Sequence, residues 1–173
     1  AYVQHPARVR AVAFAPDGEV LASAASDGLI LWRVEDGELL HREEAYNDIN
    51  RLAYSSDGAS LVGVDWHGKV NVYNPENGQL LRSLDATHII RDDVGDGFLR
   101  VADLWVGSDT EIRLVGMFDP PFIDADDPRH HEPQPNARLV VLDPSASKVL
   151  ASTQLPAWEN FSAGAISLDG RRV

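Results

Sequence analysis

The chain repeats itself. The stretch from Val12 to Leu40, VAFAPDGEVLASAASDGLILWRVEDGELL, is echoed from Leu52 to Leu81 by LAYSSDGASLVGVDWHGKVNVYNPENGQLL. Asp17-Gly18 returns as Asp57-Gly58 and Gly28 as Gly68, each 40 residues on, while Asp36-Gly37 returns one residue late as Asn77-Gly78. A third copy is stretched. It runs through LWVGSDTEIRLVG, from Leu104 to Gly116, and resumes at ARLVVLDPSASKVL, from Ala137 to Leu150; a fourth opens with AISLDGRRV. A fixed period of this length marks a repeat architecture, in which each unit buries its apolar face against the next.

Within each copy, short apolar runs alternate with turn residues. Val9 to Phe14, Val20 to Ala25, Leu29 to Val34 and Leu39-Leu40 are divided by Pro-Asp-Gly, Ser-Asp-Gly and Glu-Asp-Gly. Asp-Gly between such runs predicts a hairpin, because glycine accepts the positive φ of a tight turn. Each copy therefore reads as four antiparallel strands, a to d, and the chain as all-β. The runs are apolar on both faces, as expected of sheets packed on both sides.

A period near 40 with four strands per unit resembles the WD-repeat β-propeller family, and the first copy carries much of that family's motif. The resemblance implies a buried hydrogen-bonded set of a histidine before strand a, a hydroxyl in strand b, an aspartate in the b–c turn and a tryptophan in strand c. These fall at His5, Ala25, Asp27 and Trp32, so the hydroxyl position holds alanine. In the second copy Ala45, Asp65, His67 and Val72 stand at the matching places, and the polar set is lost. His5, Asp27 and Trp32 are expected to be structural rather than catalytic. The chain is expected to form one incomplete ring over residues 1–173, with blades near 5–44, 45–84 and 98–153, the third carrying an insertion at 117–136. The start of a fourth blade falls near 158–173. By the same resemblance, the rest of a ring of six to eight blades is itself an expected partner of these strands.

The breaks in the period point to a surface. Asp17 to Asp57 spans 40 residues, Asp57 to Asp109 spans 52 and Asp109 to Asp169 spans 60, leaving excesses of 12 and 20. The first excess falls in 85–97, between strand d of blade two and strand a of blade three. The second falls in 117–136, between strands b and c of blade three. Connections d–a and b–c emerge at the same end of a blade, so both insertions crown one face. They carry nine acids (Asp85, Asp92, Asp93, Asp96, Asp119, Asp124, Asp126, Asp127 and Glu132) against Arg91 and Arg129. Trp66 and His67 lie in the b–c turn of blade two, on that same face, where a tryptophan can serve as a binding anchor.

The chemistry implied is recognition. Acids outnumber bases 27 to 15 across the 173 residues, for a net charge of −12, which argues against a sequence-independent grip on nucleic-acid phosphate. No apolar run approaches the roughly 18 residues of a membrane span. The lack of cysteine removes disulfides and thiolate chemistry and fits a reducing, cytoplasmic setting. No G-x-S-x-G, phosphate-loop, G-x-G-x-x-G or H-E-x-x-H motif occurs. Asp124, Asp126, Asp127, His130, His131 and Glu132 have donors suited to a divalent cation but match no known ligand spacing. The expectation is thus a non-catalytic scaffold that needs no cofactor and offers an acidic face to a protein or peptide, a basic one by charge. A propeller enzyme or metal-binding protein using the same loops is the alternative.

Overall fold

A computed structural model of the chain describes residues 5–44, 48–66, 68–86, 98–107, 111–119, 137–143 and 148–154. They form three four-stranded antiparallel sheets. Blade one is β1 (Val9–Phe14), β2 (Val20–Ala25), β3 (Gly28–Arg33) and β4 (Leu39–Glu43). Blade two is β5 (Ile49–Tyr54), β6 (Leu61–Asp65), β7 (Lys69–Tyr73) and β8 (Leu80–Asp85). Blade three is β9 (Phe98–Val106), β10 (Ile112–Asp119), β11 (Ala137–Asp143) and β12 (Lys148–Gln154). In each sheet the strands lie side by side in chain order, so the a-to-d reading and the all-β blade architecture hold.

The Asp-Gly turns work as their chemistry dictates. At the a–b turn of blade two, Gly58 adopts φ +74° and the Asp57 carboxylate accepts the Ser55 hydroxyl and the Ala59 amide. The hydroxyl, then the amide, hold the Asp57 carboxyl below the usual carboxylate range. Asp17 and Asp36 cap the amides two residues on in the same way.

Two apolar layers join the blades. Between blades one and two, Ala22, Ala24, Leu29 and Leu31 meet Ile49, Leu61 and Tyr73, with Leu52 and Tyr54 packed alongside. Between blades two and three, Val62, Val64, Val70 and Val72 meet Leu104, Val106, Ile112, Leu114, Val140 and Leu142. Because side chains alternate along a strand, one face of blade two serves each layer, which explains the two-sided apolar runs.

Tyr54 shows what this junction costs at high pH. Burial, and then the charge of Asp17 in the neighbouring blade, push its phenol from 10.0 up to about 12. The folded state thus resists ionisation that the unfolded chain undergoes freely. Stability from Tyr54 is complete below pH 10.0 and is lost as pH rises through about 12. The hydroxyl is buried and has no hydrogen-bond partner among the described residues. Tyr54→Phe should therefore cost little at neutral pH and flatten the alkaline loss, as read by unfolding midpoints across that range.

Both the innermost and the outermost strands carry a bulge at a repeated place. On strand a the residue skipped by the pairing is Arg10, Asn50 and Ala102 in turn. The Arg51 guanidinium ties two of these together, donating to the carbonyls of Asn50 at 2.7 Å and Ala102 at 2.6 Å. On strand d the skipped residues are Leu40, Leu81 and Leu150, all exposed. A bulge interrupts the ladder of an edge strand and discourages edge-to-edge pairing, so these kinks protect an apolar rim.

Candidate functional site

The polar set of blade one is complete, but its hydroxyl comes from Ser23 rather than from position 25. Trp32 Nε1 donates to Ser23 Oγ at 2.7 Å, and Ser23 Oγ lies 2.9 Å from His5 Nε2. His5 Nδ1 lies 3.1 Å from Asp27 Oδ1, and Arg42 on β4 donates to Asp27 Oδ2 at 3.0 Å. The Asp27 carboxylate can only accept, so Nδ1–H donates to it, and in the neutral imidazole Nε2 is then the acceptor of the Ser23 hydroxyl. Ser23 and Ala25 share one face of β2, but Ser23 faces Ile30, diagonal to Trp32, whereas Ala25 faces Gly28 at the turn. Arg42 is a member that sequence pattern did not reveal, because strand d carries no motif position.

A Ser–His–Asp chain invites comparison with a hydrolase, and its surroundings argue otherwise. The His5 side chain is 2% exposed and Ser23 4%, and the Trp32 N–H occupies the oxygen that would have to attack. A nucleophile needs an approach for substrate, which this burial denies. The arrangement instead joins strands b, c and d to the segment preceding strand a.

In blade two the register corrects the matching places. Ser23 faces Ile30 and Leu21 faces Trp32, while Gly63 faces Asn71 and Leu61 faces Tyr73. Tyr73, not Val72, therefore stands where Trp32 stands, and the additional residue lies in the b–c turn. Gly63 replaces Ser23; a Cβ there would lie 3.2 Å from Ile49 Cδ1 and Cγ2, so a serine would have to push the Ile49 side chain aside. Asp65 stands where Ala25 stands in blade one and accepts the Lys69 amide at 2.9 Å. Ala45 and His67 lie outside the described residues.

The end of the blades that carries the d–a and b–c connections holds Trp66. It directly follows β6, is 44% exposed, and lies under the Arg10 guanidinium, whose Cζ is 5.6 Å from the ring centroid. Arg10 Nη2 is 3.9 Å from Asp48 Oδ1 at the start of blade two. Arg10 and Asp48 were not marked by sequence; the only signal is that Arg10 stands 40 residues before Asn50, at the strand-a bulge. His67, Asp92, Asp93, Asp96, Asp124, Asp126, Asp127, His130 and His131 lie outside the described residues. Among the described residues no group of His, Asp and Glu is arranged to hold a metal ion, and no helix is long and apolar enough to cross a membrane.

Comparison with known proteins agrees with this geometry. The family model for the WD domain, G-beta repeat, matches residues 1–32, the part of blade one that supplies His5, Ser23, Asp27 and Trp32. Eukaryotic translation initiation factor 3 subunit I of Phaeosphaeria nodorum is 38% identical over 64 residues, covering 36% of this chain and 19% of that protein. Small ribosomal subunit protein RACK1z of Arabidopsis thaliana is 31% identical over 81 residues, covering 46% and 24%. The matches thus span a quarter or less of these relatives. The solved structure of the RRP9 WD40 repeats superposes with a TM-score of 0.59 at 17% identity, over 87% of this chain and 39% of that one, a likeness of fold alone. Residues 1–32 thus carry a WD repeat, and the described residues take the four-stranded blade architecture of a WD-repeat β-propeller.

Proposed function

We propose that the protein is a non-catalytic interaction scaffold and that the face bearing Trp66 and the two acidic insertions receives a basic segment of a protein partner. The observation that carries this reading is the exposed Trp66, set on a rigid sheet among connections where a loop can reach a partner. The nine acids of the insertions would add a negative potential that speeds encounter with a basic segment and repels nucleic acid. Two relatives carry names of subunits of larger assemblies, an initiation factor and a ribosomal subunit, which favours a role in holding proteins together. Those names and the absence of cysteine also favour a cytoplasmic setting.

The test deletes 124–135 and, separately, replaces Trp66 with alanine, then measures binding of the native partner across a salt series. Loss of Trp66 should weaken binding by about 1–3 kcal/mol at every salt concentration. The deletion should act chiefly at low salt, since exposed charges are screened beyond about 8 Å at physiological ionic strength. Unchanged affinity and unchanged salt dependence in both variants would remove this face from consideration.

A further inference from the structure

The contact of Arg10 with Trp66 and Asp48 is a small recognition site filled from within. A guanidinium stacks on an aromatic face and pairs with a carboxylate more readily than any other side-chain group, because it is planar, weakly hydrated and carries several donors in one plane. Trp66 and Asp48 supply that aromatic face and that carboxylate, from the b–c turn and the strand-a start of blade two. The group they hold, Arg10, comes from the bulge of the neighbouring blade.

The grip is loose. The Arg10 side chain is 37% exposed and Asp48 55%, their separation of 3.9 Å is at the limit of an ion pair, and much of the Trp66 ring remains open. Exposed ion pairs and cation–π contacts of this kind are weak. The same contacts strengthen when a partner covers them and excludes water. An incoming guanidinium presented by a binding protein would therefore hold the site better than Arg10 does.

We propose that Trp66 and Asp48 form a receptor for one arginine side chain of the protein partner, and that Arg10 occupies this receptor in the free protein. This rests on the reading of a basic partner given above and adds where one of its side chains sits. A carboxylate-bearing partner would use the site differently, pairing with Arg10 itself, and the experiment separates the two.

The probe is a fluorescently labelled tetra-arginine peptide, with lysine and citrulline analogues, titrated into the wild type and into Arg10→Ala, Trp66→Ala, Asp48→Asn and Arg33→Ala. Arg33→Ala is the charge control, because Arg33 lies at the other end of blade one, paired with Asp36 and Glu38. Arg10→Ala should bind tetra-arginine about three- to tenfold more tightly than Arg33→Ala does. Adding Trp66→Ala should abolish that gain, Asp48→Asn should weaken binding, and the analogues should bind less well in the order lysine, then citrulline. Equal affinity of Arg10→Ala and Arg33→Ala, with no loss in Trp66→Ala, would overturn the receptor while leaving a basic partner possible elsewhere on the face. Weaker binding in Arg10→Ala would also overturn it, and failure of tetra-arginine to bind any form would remove both the receptor and the basic-partner reading.

Discussion

Ser23→Ala is expected to lower the stability of the folded protein by about 2–4 kcal/mol, read as a shifted midpoint in urea unfolding. One buried oxygen serves two partners, so its removal strands the Trp32 N–H and His5 Nε2 together. Asp27→Ala should cost about 1–3 kcal/mol, since it leaves His5 Nδ1 and the Arg42 guanidinium without their carboxylate. Neither change should alter the Trp66 face. Ala25→Ser should not rescue Ser23→Ala, because a hydroxyl beside Gly28 is too far along the strand to meet Trp32 and would be buried unpaired. Rescue by Ala25→Ser would show that the network can be built from position 25 after all.

The second large effect concerns the outer face of blade one. Val12 and Phe14 are 57% and 60% exposed, on the same side of the sheet as Ser23 and Leu21. Their counterparts 40 residues on, Leu52 and Tyr54, are packed against blade one. The fold thus shows within one chain how this face is satisfied: another blade covers it with small and branched apolar side chains like Ala22, Ala24, Leu29 and Leu31. The 173-residue chain on its own should self-associate through Val12 and Phe14. Val12→Lys with Phe14→Glu should shift it toward monomer in sedimentation velocity. A monodisperse wild-type monomer that unfolds cooperatively would contradict this expectation.

The strands were legible because turn chemistry punctuates them: expected and observed limits of β1 and β2 coincide, and β3 differs by one residue at each end. The polar set was legible as residue types but not in depth. Ser23 and Ala25 have the same facing by period two, and only the strand register decides which lies beside Trp32. The same register places Tyr73 opposite Leu61 and moves the extra residue of blade two into its b–c turn. Bulges are set by which hydrogen bonds are skipped, so neither the Leu40, Leu81 and Leu150 rim nor the Arg10 position could be read from composition. Trp66 stood out because an aromatic in a polar turn is unusual, whereas its partners Arg10, on β1, and Asp48, just before β5, share no motif with it.

Recognition of the partner is proposed at the end of the blades where Trp66 lies. Hydrogen exchange of the protein, free and bound to its native partner, addresses it directly. Exchange should slow around Trp66, at the starts of β1 and β5 and in the insertions at 85–97 and 117–136, with little change at the a–b turns near Asp17 and Asp57. Protection confined to those a–b turns or to the outer strands β4, β8 and β12, with the Trp66 end unchanged, would contradict it.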